Sequence, residues 1–137
     1  MDAVVNCVNS APQLLRCDST VQRNFLKIRL VGKKSNRTGV GARIAVTALT
    51  GTEATPGKPL RQIDEVRSGG SYYSQNDLRL HFGLNTAAKA DLVEIAWPSG
   101  ARDALKDLQA NNLYVIEEGG HILRTVPMGT KQGKPVK

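Results

Sequence analysis

Acidic residues are missing from one long continuous stretch of the chain. None occurs between Ser19 and Thr52, which carries Arg23, Lys27, Arg29, Lys33, Lys34, Arg37 and Arg43. The remaining bases and acids balance, so the net charge of +7 is concentrated there. Aromatic residues are scarce at 4%, which leaves few rings for nucleobases to stack on and argues against a nucleic-acid partner. No apolar run approaches the roughly 18 residues a membrane-spanning helix needs. The N-terminal Met1–Val5 has no basic start and no long apolar stretch, so no signal peptide is expected in this segment.

Cysteine and histidine are equally sparse. Cys7 and Cys17 fit neither a C-x-x-C pair nor a zinc pattern. A turn at Asn9–Pro12 would set Cys7 opposite about Leu15. A disulfide is therefore allowed but not implied. His81 and His121 complete no structural zinc spacing, and Asn76 and Asp77 are too few ligands for calcium. No metal or cofactor is expected. Helical periodicity is confined to Ala87–Asp91 and Ala104–Ala110, one turn each.

What is present is alternation. A chain of 137 residues with 40% hydrophobic residues can build one core without metals or disulfides. Leu26, Ile28 and Leu30 alternate with Lys27 and Arg29; Ile44, Val46 and Ala48 alternate with Arg43 and Thr47. These two strands are expected to pair across Gly32–Gly41, which would gather Lys27, Arg29 and Arg43 on one outward face. Further strands are read at Leu60–Arg67, Leu78–Leu84, Asp91–Trp97 and Ala101–Leu105, the last two joined by the Pro98-Ser99-Gly100 turn. Leu113–Glu117 and His121–Thr125 form a hairpin around Gly119-Gly120. The fold class expected is all-β: an antiparallel sandwich or barrel-like domain of about eight to nine short strands with little helix. Trp97, in phase with Val93 and Ile95, reads as a core residue.

Three segments carry a family resemblance. They are F-L-K-I-R-L-V-G-K-K-S-N-R-T-G-V-G-A-R-I (Phe25–Ile44), E-V-R-S-G-G-S-Y-Y-S-Q-N-D-L-R-L-H-F-G-L (Glu65–Leu84) and D-L-V-E-I-A-W-P-S-G (Asp91–Gly100). In this order and spacing they resemble the ASPIC/UnbV domain, which follows FG-GAP/VCBS-type propeller repeats. The resemblance implies a secreted, periplasmic or surface setting, a parent propeller as partner, and no enzymatic activity. Asp2–Cys17 resembles the last hairpin of such a propeller. It lacks the acidic D-x-D-x-D-G calcium loop. The implied organisation is a blade remnant over 1–23, the β domain over 24–126 and a flexible basic tail over 127–137.

Two candidate sites follow. The Ser68–Asp77 loop offers glycines, hydroxyls, amides and two tyrosine rings; Ser71, Tyr72, Tyr73, Ser74, Asp77 and the nearby Arg79 are the candidate ligand-binding residues. The opposing reading makes it a brace, with one tyrosine in the core and Ser74, Asp77 and Arg79 tied by hydrogen bonds. The second candidate is the Lys33, Lys34 and Arg37 loop, suited to a sulfate or carboxylate. It too has a structural reading, as part of the family motif. Ser71, Ser74, Asp77 and His81 invite a hydrolytic triad, but no G-x-S-x-G elbow is present. The leading expectation is a binding module for an anionic glycan or acidic protein. The alternatives are a structural cap on the propeller and, third, a hydrolase.

Overall fold

The computed structural model describes residues 3–7, 9–18, 21, 23–52, 55–70, 72 and 75–129. Among them are ten strands and no helix. Strands β1 (Ala3–Val5) and β2 (Gln13–Leu15) form a separate hairpin. The body is a sandwich of two four-stranded sheets. One has the order β10 (His121–Pro127), β9 (Asn112–Glu117), β3 (Asn24–Val31), β6 (Leu80–Asn85). The other has the order β5 (Thr55–Glu65), β4 (Arg43–Thr52), β7 (Lys89–Ala96), β8 (Arg102–Gln109).

Alternation decides which faces meet. Leu26, Ile28 and Leu30 of β3, Phe82 and Leu84 of β6, and Tyr114 and Ile116 of β9 point inward from the first sheet. Ile44, Val46 and Ala48 of β4 and Val93 and Ile95 of β7 meet them from the second. Removing these aliphatic faces from water is what joins the layers. Trp97 is 4% exposed and belongs to the core, as its phase predicts. At one margin, Gln62 Nε2 of β5 donates to the Gly83 carbonyl of β6 at 2.7 Å and ties the two sheets together.

Strands β3 and β4 do not pair, contrary to the sequence expectation. The connection over 32–42 carries the chain from one sheet to the other, and β3 takes β6 and β9 as its neighbours. Lys27 and Arg29 therefore lie on the opposite face of the sandwich from Arg43. The two expected helical turns are also absent: Lys89–Ala96 and Arg102–Gln109 are strands. The β7–β8 ladder keeps one register but is interrupted between the Ala90–Leu108 and Leu92–Lys106 pairs. Ala90 pairs with Leu108 and Val93 with Leu105, while Asp107 takes φ +57°. Inward apolar positions thus fall three apart in both strands, and in β8 the Leu105–Leu108 interval imitates a helical spacing.

The N-terminal hairpin turns two residues earlier than expected. Leu15 pairs with Ala3, not with Cys7, because Asn9 takes the left-handed conformation at φ +61° and becomes the pivot. Cys7 and Cys17 are not joined by a disulfide. The last hairpin and the β7–β8 hairpin are as expected. Residues 130–137 of the expected tail lie outside the described residues.

Candidate functional site

Strands β3 and β9 are parallel, with Val31 beside Glu117. Their following turns therefore leave the sheet at the same end. This places Glu118 against the Lys33–Ser35 backbone. Its Oε2 accepts hydrogen bonds from the N–H groups of Lys33 (2.8 Å), Lys34 (2.7 Å) and Ser35 (2.8 Å). Its Oε1 accepts from Ser35 Oγ at 3.1 Å and from Ser99 Oγ. Burial would raise the Glu118 pKa. The Ser99 hydroxyl and the three backbone donors outweigh it and bring the pKa down to about 2.

Three successive N–H groups turned toward one point make an anion-binding nest. By its sequence this loop suits a sulfate or carboxylate ligand; in the structure its backbone donors are taken by the protein's own Glu118 carboxylate. Lys33 Nζ is likewise engaged, pairing with Glu117 at 2.8 Å. Lys34 is exposed. Asn36 completes the loop: its Oδ1 accepts from Val40 N–H and Thr38 Oγ1, and its Nδ2 donates to the Val40 carbonyl. Glu118 was not anticipated from sequence. Its only signal was an acid placed directly between an apolar strand and a Gly-Gly turn.

Of the second candidate group, Ser71, Tyr73 and Ser74 lie outside the described residues. Tyr72 is 82% exposed in a turn. Asp77 and Arg79 form an ion pair, with Arg79 Nε at 2.9 and 2.7 Å from the two carboxylate oxygens. That hydrogen bonding lowers the Asp77 pKa against a smaller effect of burial, and raises that of Arg79. Gln75 braces the loop: its Oε1 accepts from Gly69 N–H at 2.9 Å and its Nε2 donates to the carbonyls of Asn76 and Arg67. His81 points outward from β6, stacked on Phe25 with ring centroids 5.1 Å apart. Burial, then the Lys27 charge, holds its pKa below the usual value.

The structure does bring some of these residues together. A groove of about 740 Å³ runs over the outer face of the β10-β9-β3-β6 sheet. Arg29 enters from β3, Arg37 from the β3–β4 loop, Arg79 from the segment before β6 and Arg124 from β10. Val31, Leu113, Val115 and Val126 supply aliphatic lining. Lys33, Lys34 and Tyr72 are not part of it. Among the described residues, Arg29, Arg37 and Arg124 take part in no ion pair. Arg124 was missed in the sequence because its distance from the acid-free stretch hid its place beside Arg29. A second trough, on the other sheet, places Arg43 with Arg61, Glu94 and Arg102. There the Arg61–Glu94 ion pair, at 3.1 Å, leaves the charge more nearly balanced.

Among the described residues no helix is long and apolar enough to cross a membrane. No curated protein and no solved structure matches the chain. The family model described as ASPIC and UnbV matches residues 32–122. That span runs from the nest loop through β4 to β9 and into the start of β10. It includes both Ser35 and the Glu118 carboxylate that Ser35 holds, and on this match the chain belongs to the ASPIC and UnbV family.

Proposed function

We propose that this domain is a non-catalytic interaction module of an exported protein, placed beside a repeat propeller, and that it engages an anionic glycan or protein. The observation that carries this reading is the groove. Arg29, Arg37 and Arg124 converge on an aliphatic floor from a strand, a loop and a second strand. Among the described residues these three take part in no ion pair, and with the Asp77–Arg79 pair also lining the groove the cluster keeps a net positive charge, which attracts anions over a Debye length of about 8–10 Å in ordinary salt. The non-catalytic part is supported by the engagement of the polar groups themselves. Asp77 is held by Arg79, and His81 is stacked on Phe25.

The test is a panel of anionic polysaccharides and acidic polypeptides presented to the full chain at low and moderate salt. Binding should weaken as salt rises and disappear in the Arg29→Glu, Arg37→Glu, Arg124→Glu triple variant. Arg43→Glu, on the opposite face, should bind like the parent chain. Absence of binding to every anionic probe at both salt concentrations refutes the reading.

A second reading, a structural cap on the propeller, is favoured by the N-terminal hairpin. Val4, Leu14 and Leu15 are exposed there on a two-stranded sheet, an arrangement that gains stability by packing on a neighbour. Removal of this domain from the parent protein would then lower the unfolding temperature of the preceding module.

A further inference from the structure

We infer that the occupant of the groove is an acidic polypeptide segment in extended conformation, with aliphatic side chains between its carboxylates. This rests on the binding reading above and narrows it to one ligand class.

The pairing register supplies the geometry. Arg124 of β10 lies beside Val115 of β9, and Val115 lies beside Arg29 of β3. Neighbouring strands are about 4.8 Å apart, so the two arginine positions stand roughly 10 Å apart across the sheet with a valine between them. The next outward row along the strands carries Val126, Leu113 and Lys27. The intervening residues of β9, Tyr114 and Ile116, are buried, so Leu113 and Val115 face outward. The result is an aliphatic strip along β9 with cations on both sides.

The chemistry of the strip selects the ligand. Arginine presents a planar fork that takes a carboxylate through two parallel hydrogen bonds. A polyanion with only polar surface would satisfy the arginines and leave Leu113, Val115 and Val126 wet. Among the described residues no aromatic ring lines the groove, so they offer a sugar no flat platform to stack on. A peptide that mixes carboxylates with valine or leucine meets both demands at once. Successive side chains of an extended chain point to opposite sides, so an acidic and an aliphatic residue two positions apart share the face laid on the groove.

The experiment compares three labelled probes of matched charge by fluorescence anisotropy. They are a short peptide in which Asp and Val take turns at every second position with Ser between them (the Asp-Val peptide), one with Ser in place of each Val (the Asp-Ser peptide), and a sulfated oligosaccharide. The Asp-Val peptide is expected to bind roughly tenfold more tightly than the Asp-Ser peptide at moderate salt. Val115→Asn should reduce that preference to near unity while leaving Asp-Ser binding unchanged. Val126→Asn, on the edge strand, serves the same purpose if Val115→Asn fails to fold. The Arg29→Glu, Arg124→Glu variant should lose both peptides. Equal binding of the two peptides, or tighter binding of the oligosaccharide, overturns the polypeptide inference and leaves the binding reading standing. No binding by any probe overturns both.

Discussion

Glu118 and Ser35 meet through both oxygens of the carboxylate: Ser35 N–H donates to Oε2 at 2.8 Å and Ser35 Oγ to Oε1 at 3.1 Å. Ser99 joins them from the β7–β8 turn of the other sheet, its N–H donating to Ser35 Oγ at 3.2 Å. One carboxylate thus pins loops from both layers of the sandwich. Glu118→Gln keeps the volume but replaces the charged acceptor: its amide oxygen is neutral, and its N–H₂ must face either the backbone N–H groups, which can only donate, or the Ser35 and Ser99 hydroxyls, which would have to reverse to accept. The backbone N–H groups of Lys33 and Lys34 would lose charge-assisted partners, and such donors are costly to leave unsatisfied. The expected result is a fall in Tm on the order of 10 °C, read from Trp97 fluorescence. An unchanged Tm would show that the clamp contributes nothing.

The same carboxylate sets an acid limit. Its folded pKa of about 2 lies below the ordinary value of 4.5. A depressed folded pKa means that the stabilisation is fully present above about 4.5 and is lost as pH falls toward 2. Asp77, lowered by Arg79, adds loss in the acid range. The difference in urea midpoint between the parent chain and Glu118→Gln should therefore shrink steadily between pH 4.5 and 2. A difference that stays constant across that window contradicts the assignment.

Strand positions were legible in the sequence because period-2 alternation states which side chains must leave water. Pairing was not. Leu26, Ile28 and Leu30 bury the same face whether β3 joins β4 or faces it across the core, so local alternation cannot separate the two. Leu105 and Leu108 misled for a related reason, since an interrupted ladder and a helical turn can share an i,i+3 spacing. At the site, Lys33, Lys34 and Arg37 were read as one loop group. The fold turns the Lys33 and Lys34 backbone toward Glu118 and sends the Arg37 side chain to the groove. Which anion fills a nest depends on a residue more than eighty positions away, and one sequence carries no signal for that contact.

Two glycines in β-rich surroundings should respond oppositely to the same change. Gly39 has φ +70°, and a Cβ there would lie 2.7 Å from Leu30 Cβ in the core. Gly39→Ala is expected to cost about 2–4 kcal/mol by strain and displacement of Leu30. Gly83 in β6 has no atom within 4 Å of a Cβ position. Gly83→Ala should change stability by no more than about 0.5 kcal/mol and can raise it, because alanine loses less backbone freedom on folding. Paired urea melts decide this. A Gly39→Ala variant as stable as Gly83→Ala would mean that the 32–42 loop relaxes freely.

Trp97 and Asp103 should be energetically coupled. Trp97 Nε1 donates to Asp103 Oδ2 at 2.7 Å, and Gly119 N–H donates to the same oxygen at 2.9 Å. Through Asp103 of β8 the two bonds together link the start of the β7–β8 turn to the turn after β9, next to Glu118. Trp97→Phe removes the N–H and leaves the half-buried carboxylate with one fewer donor, at an expected cost of about 1–3 kcal/mol. Asp103→Asn removes the charge while retaining an acceptor. A double-mutant cycle on the two positions should return a coupling of about 1 kcal/mol, since Trp97→Phe deletes the donor and Asp103→Asn turns the charged acceptor into a neutral one. Because the cycle removes the only tryptophan, unfolding is followed by circular dichroism. Strict additivity of the two substitutions would show that the indole is held by packing alone.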